Sequence, residues 1–238
     1  MDQETVKKEQ MMDDEFGNTS ILLAALIIFI TFVMIFFIKR QKAKRNDIVL
    51  TGTSESGKTL LYSLIISGKE IDSFTTIKEN IGMLTLKSKI YQLVDLPGHE
   101  KLRLRLLDSY KATSKALIFV IDSSTIQKEI KDVADFLYAI LADKALSNIP
   151  ILILGNKQDE TMSKGKYIIE QMLEKEINLI RTTKTNQLKF EGSQETMKFL
   201  GRRDMDFKFS HISQTIAFAE SSAKNNNIEE LIYFLNSI

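Results

Sequence analysis

The 238-residue sequence predicts an α/β fold: a mostly parallel six-stranded sheet with helices on both faces, preceded by one apolar helix long enough to cross a bilayer. Three observations predict it. An uncharged apolar run follows a short polar start. Beyond that run, strand-like apolar segments alternate with stretches of helical period. Several of those segments, ALIFVID and IPILILG among them, are apolar throughout rather than at every second position. Continuous apolarity marks strands buried on both faces, as in a parallel sheet between two helical layers.

Residues 1–20 lean acidic, with Asp2, Glu4, Glu9, Asp13, Asp14 and Glu15 against Lys7 and Lys8, and carry no apolar period; they read as a short lumenal tail. Ile21 to Ile38 follows without a charge, and Thr31 is its one polar residue, able to return its hydroxyl to a backbone carbonyl. At about 1.5 Å per residue the run spans roughly 27 Å, close to the hydrocarbon thickness of an endoplasmic-reticulum bilayer, and residues 21–38 read as a transmembrane helix. A cleaved signal peptide would start basic and run shorter. A buried core helix would rarely go this far without a polar face. Lys39, Arg40, Lys42, Lys44 and Arg45 then form a basic flank over residues 39–45, which places that side in the cytosol.

From Asn46 to Ile238 the chain reads as one domain. Its expected strands are Asp47–Thr51, Met83–Lys87, Ile90–Leu96, Ala116–Asp122, Ile149–Gly155 and Ile216–Glu220, the second and third forming an antiparallel hairpin at the sheet edge. Its expected helices include Lys58–Ile66, Ile130–Leu141, Gly165–Leu179 and Ile228–Leu235. Residues 181–210 read as an insertion, either a solvated loop, a loop packed on the domain, or a partner contact.

Composition narrows the chemistry. A formal net charge of +1 supplies no global basic field, so direct nucleic-acid binding is not expected. The absence of cysteine excludes disulfides and thiolate metal sites, and two histidines are too few for a histidine metal cluster.

The first strand runs into Gly52-Thr53-Ser54-Glu55-Ser56-Gly57-Lys58-Thr59, which matches GxxxxGK[ST] in a strand–loop–helix context. Glycines let successive amides face inward around phosphates, and the following helix adds its N-terminal dipole. Lys58 would reach the β- and γ-phosphates, and Thr59 would offer its hydroxyl to Mg2+. Asp95-Leu96-Pro97-Gly98 ends a later strand; Asp95 is placed to hold the metal through water and Gly98 to give its amide to a γ-phosphate, although by itself this is an ordinary turn sequence. Asn156-Lys157-Gln158-Asp159 ends another. The Asp159 carboxylate can accept both N1–H and the exocyclic amine of guanine, a donor pair that adenine lacks. Lys157 would lie along base and ribose, and Asn156 would tie adjacent loops. Glu220-Ser221-Ser222-Ala223-Lys224 ends the last strand, where a backbone amide can meet the base O6. Four ordered motifs at carboxyl ends of strands fall where such sheets bind ligands.

These residues resemble the Ras-type GTPase superfamily over Asn46 to Ile238. The resemblance implies a P-loop GTPase domain with GTP or GDP and Mg2+ as ligands. It also implies a switch threonine that senses the γ-phosphate through the metal, with Thr76 the best-spaced candidate and Thr75 the alternative. His99 stands where such proteins usually carry a water-orienting glutamine, and DLPGHE is closer to the pattern of translational GTPases. His99 is therefore the candidate catalytic residue, with an exposed turn histidine as the plainer reading. The replacement implies slow intrinsic hydrolysis.

The full combination is similar to one family more closely, the beta subunit of the signal recognition particle receptor: a membrane anchor, a basic flank leading into the P-loop strand, DLPGHE, NKQD and the long segment before ESSAK. That resemblance implies GTP-controlled association with the receptor's alpha subunit at the endoplasmic reticulum membrane, with the domain in the cytosol. It adds the translocon or the ribosome as further partners and makes 181–210 a family-specific insertion. An Arf-like or Sar-like traffic regulator is the alternative.

Overall fold

The computed structural model describes residues 26–34, 45–68, 78–191 and 199–238, with side chains left aside for 185–191. The expected tail, most of the basic flank and both candidate switch threonines, Thr75 and Thr76, lie outside the described residues.

Residues 26–34 form a helix (α1) whose apolar side chains are largely exposed, and the Thr31 hydroxyl donates to the Ile28 carbonyl at 2.8 Å as anticipated. No helix among the described residues is long and apolar enough to cross a membrane. The described residues fall into two units, 26–34 and those from Arg45 to Ile238.

The second unit runs β1 (Asp47–Gly52), α2 (Lys58–Ser67), β2 (Asn80–Leu86), β3 (Lys89–Asp95), α3 (Glu100–Tyr110), β4 (Ser114–Asp122), α4 (Ile126–Ala142), β5 (Ile151–Asn156), α5 (Lys166–Glu191), a 3-10 turn (Phe209–His211), β6 (Ile216–Glu220) and α6 (Glu229–Ser237). The six strands lie in the order β2-β3-β1-β4-β5-β6. Only β2 is antiparallel, paired with β3 as the expected edge hairpin. Each central strand alternates its side chains between two separate cores. Val49, Phe119 and Ile153 face α3, α4 and α5, whereas Leu50, Ile118 and Leu152 face α2 and α6. This two-sided burial is what the unbroken apolar runs encode.

One element departs from the expectation, and the 181–210 region divides into two parts. α3 is absent from the helices anticipated above, because its LRLRL stretch alternates with a strand-like period. Its buried residues are Arg103 and Leu107, one helical turn apart, while Leu104 stays 44% exposed. The 181–210 region is not one solvated loop. Residues 181–191 prolong α5, and Leu200, Phe207 and Phe209 return to the core under α4 and α5. The buried Arg181 guanidinium fastens that return, donating to the carbonyls of Leu200 (3.2 Å), Arg202 (2.9 Å) and Met205.

Candidate nucleotide site

The expected site residues, Thr76 apart, converge where β1, β3, β5 and β6 end. Gly52 leaves β1 with φ 143°, and a Cβ there would sit 2.1 Å from the Val120 carbonyl oxygen of β4. The loop then turns through Glu55 (φ 59°) and Gly57 (φ 88°) in left-handed backbone before α2 begins at Lys58. The first amides of a helix lack internal acceptors and carry the positive end of its dipole, so this is an anion-binding end.

The Lys58 ammonium folds over the loop, donating to the Thr53 carbonyl (2.5 Å) and the Ser56 hydroxyl (3.2 Å). Burial brings its pKa down to about 8; Asp95 pulls the other way and Arg103 adds to the lowering. Facing it, Thr59 Oγ1 (2.8 Å) and Asn80 Nδ2 (3.0 Å) both donate to Asp95 Oδ2, while Asp95 Oδ1 is buried with no hydrogen-bond partner among the described residues. Burial pushes the Asp95 carboxyl above the usual carboxylate range, against the hydrogen bonds from Thr59 and Asn80 and the charge of Lys58. An orphaned carboxylate oxygen beside a threonine hydroxyl fits a Mg2+ ion that takes the hydroxyl directly and the carboxylate through water. Gly98 closes over this assembly. A Cβ on it would meet the Thr53 oxygen at 2.6 Å, Lys58 Nζ at 2.7 Å and the Ser54 nitrogen at 2.7 Å, so a side chain would lift the β3–α3 loop off the phosphate loop.

His99 is exposed and caps α3, its Nδ1 accepting the Lys101 amide at 3.3 Å. That bond assigns the ring proton of a neutral imidazole to Nε2, leaving a donor rather than an acceptor to face solvent. Four residues on, Arg103 is buried, forms a two-pronged ion pair with Asp132 of α4 and lies over the Phe136 ring (4.4 Å). Its guanidinium is thus held by Asp132 and Phe136, while its charge is still felt at Lys58.

The base side is knitted by side chains. Asn156 Nδ2 donates to the Ser56 carbonyl (2.9 Å), and its Oδ1 accepts the Ser221 hydroxyl (3.0 Å) and the Ala223 amide (3.1 Å). One residue thus ties three loops and takes up the Ala223 amide within the ESSAK segment. The mostly buried Asp159 carboxylate accepts the Ser222 hydroxyl at 2.6 Å, and Lys224 Nζ lies 3.9 Å from its other oxygen. Gln158 braces the turn by donating to Ser123 Oγ (3.0 Å) and the Lys164 carbonyl (3.0 Å).

Asp122 was missed. Lys157, at φ 63°, reaches back to Asp122 Oδ2 at 2.7 Å. Burial raises the Asp122 carboxyl, but hydrogen bonds from Lys157 and Ser124 outweigh it and leave the pKa below the usual range. A signal existed: Asp122 closes ALIFVID at the strand-end position that Asp95 and Asn156 occupy on theirs. Asn80, whose amide steadies Asp95, carried none.

A family model described as the signal recognition particle receptor beta subunit matches residues 43–216. The chain belongs to this family. A beta subunit from Rattus norvegicus is 38% identical over 211 residues, 86% of this chain and 78% of that one. The structure of the mammalian SRP receptor aligns with a TM-score of 0.72 at 37% identity, covering 80% of this chain and 98% of that chain. The SRb-GTP/SRX complex from Chaetomium thermophilum aligns at 18% identity with a TM-score of 0.65, over 80% of this chain and 99% of that one, a likeness of fold. Membership of the beta-subunit family decides against the Arf-like or Sar-like alternative, and the six-stranded sheet is that of a small GTPase.

Proposed function

We propose that this beta subunit binds GTP with Mg2+ and, in that form, holds the receptor's alpha subunit at the endoplasmic reticulum membrane for cotranslational protein targeting. The uncharged run of residues 21–38 is its single membrane span, and the basic flank keeps the nucleotide domain cytosolic. The all-round apolar, exposed α1 supports that reading, since such a surface suits lipid rather than water. The observation that carries the function is Asp159, held by Ser222 at the mouth of a site whose other end offers Lys58 and the Thr59–Asp95 pair. An acceptor-only group matches the two donors of guanine, and the phosphate end suits a magnesium-bound triphosphate.

Each residue has a separate task here. The loop amides and Lys58 hold phosphate, Thr59 and Asp95 would hold the ion, Asp159 reads the base and Asn156 keeps the two halves in register. A switch threonine, Thr76 or Thr75, would report the γ-phosphate through the ion. Hydrolysis is slow, because His99 presents a ring donor to water and Arg103 is engaged by Asp132. GTP then serves as a long-lived ligand that maintains a docking surface.

The test is capture of the alpha subunit's N-terminal domain by the full chain loaded with a non-hydrolysable GTP analogue or with GDP. The analogue should support capture and GDP should not, and His99→Ala should leave capture intact. Equal capture by both forms would reduce the domain to a passive tether. For topology, protease added to sealed microsomes should remove the domain and spare the N-terminal tail.

A further inference from the structure

Charge also collects at the end of the domain opposite the nucleotide, where the parallel strands begin. Arg45 leads into β1 and donates to the Ala145 carbonyl (3.4 Å) in the turn after α4. β3 is parallel to β1 with Gln92 beside Asp47, so Lys89 precedes that level by three residues. The β2–β3 turn thus stands about 10 Å beyond the start of β1. That turn is Lys87 and Ser88, at φ 45° and 65°, a two-residue hairpin link of the kind that holds its tip in a fixed position. Lys87, Ser88 and Lys89 are exposed, as is Lys144 next to Ala145, and Ile90 beside the tip is 60% exposed.

The carboxylates nearby are not within ion-pair distance of these cations, although Asp108 and Asp143 share the single Lys111 and so keep one net negative charge. Asp47 is buried in β1. Arg45, Lys87, Lys89 and Lys144 make no ion pair with any described residue. Lys87 and Lys89 share the hairpin tip with the exposed Ile90, and cations beside an exposed aliphatic side chain match the chemistry of an anionic lipid surface: headgroup phosphates and carboxylates outside, an apolar boundary just beneath. Single-stranded RNA would ask instead for an aromatic platform, and the apolar neighbour here is Ile90. In the sequence the cluster continues the run Lys39, Arg40, Lys42, Lys44 that follows the uncharged segment.

We propose that this end of the domain is a lipid-contact face, binding anionic headgroups through Arg45, Lys87, Lys89 and Lys144 and turning the nucleotide site, at the other end of the strands, away from the bilayer. The nearness of a bilayer rests on the reading of residues 21–38 as a membrane span. The chain has no cysteine, so single dye sites are available in the full-length protein. A donor dye goes on Ser88→Cys at the basic end or on Met162→Cys in the exposed turn after Asp159. The protein is reconstituted in vesicles of phosphatidylcholine alone or with phosphatidylserine, carrying an acceptor on the headgroups.

Transfer from Ser88→Cys should exceed that from Met162→Cys, should rise with phosphatidylserine and should fall with added salt. Adding Lys87→Glu, Lys89→Glu and Lys144→Glu should erase the rise while GTP binding persists, which shows the variant is folded. Equal transfer from the two sites, or transfer indifferent to lipid charge, overturns the proposal. So does a charge reversal that abolishes binding to a poly(U) strand and leaves transfer unchanged. Alkaline carbonate extraction reads the span separately. Protein released by carbonate that still shows charge-dependent transfer keeps the lipid face and loses the span; retained protein without charge dependence does the reverse.

Discussion

The two halves of the nucleotide site are built differently. On the base side, every polar group of Asn156, the Asp159 carboxylate and the Gln158 amide already has a protein partner. On the phosphate side, Asp95 keeps a buried oxygen without one among the described residues, and Lys58 carries an ammonium that burial has destabilised to a pKa of about 8. The first half is organised before a ligand arrives. The second stores unmet electrostatic demand that only an anion and a cation together satisfy. Ligand selection and ligand sensing thus belong to different parts of the same site, and the loop that would sense, between α2 and β2, leads into β2, whose Asn80 donates to Asp95.

Four substitutions and one titration bear on that contrast. The largest effect should come from Lys58→Ala, which removes the principal counter-charge to the phosphates. GTP affinity should drop by at least about 3 kcal/mol, roughly a hundredfold, in a calorimetric titration, with no loss in the melting temperature of the empty protein. A melting temperature that falls with affinity would put Lys58 among the structural residues and erase the contrast. Asp159→Asn should cost GTP about 2–3 kcal/mol and move preference to XTP, whose C2 carbonyl accepts the new amide. Retained GTP selectivity would remove Asp159 from the base-reading role.

Asn156→Ala strands the Ser56 carbonyl, the Ser221 hydroxyl and the Ala223 amide, so it should destabilise the empty fold by about 2 kcal/mol in urea denaturation. That is the opposite signature to Lys58→Ala.

The pH dependence is subtler. Phosphate binding raises the Lys58 pKa above its free value of about 8, so the complex holds more protons than the free protein above that pH. Affinity should be flat below about pH 8 and weaken above it by at most tenfold per unit, a trend absent in Lys58→Ala. Folding of the empty protein runs the other way. The unfolded lysine titrates near 10.5 and the folded one near 8, so stability rises with pH between the two. His99→Ala should be the smallest change, within about 0.5 kcal/mol for both stability and GTP affinity.

Much of this was legible beforehand because it is local. The phosphate loop, DLPG, NKQD and ESSAK each carry their chemistry in consecutive residues, and the unbroken apolar runs state that strands are covered twice. What escaped depends on contacts across the sequence. Asn80 matters only because the hairpin register sets it opposite Asp95. Arg103 looks like a surface residue in an alternating stretch until α3 turns it onto Asp132 and Phe136. Arg181 opens what reads as an insertion, yet its guanidinium serves carbonyls about twenty positions away. Polar residues whose partners are distant leave no periodic trace, whereas apolar burial does.

Gly52 has a bearing on genetics. Its missing side chain makes room for the Val120 carbonyl, 2.1 Å from where a Cβ would stand, so any missense change at that codon wedges β1 away from β4 at the centre of the sheet. A null allele recovered there reports a strained sheet before it reports phosphate. Alleles at Lys58, whose side chain lies in the loop rather than the sheet, are the ones whose phenotypes can be assigned to the nucleotide. A screen that pools the two positions as P-loop mutants would merge a sheet defect with a loss of phosphate contact.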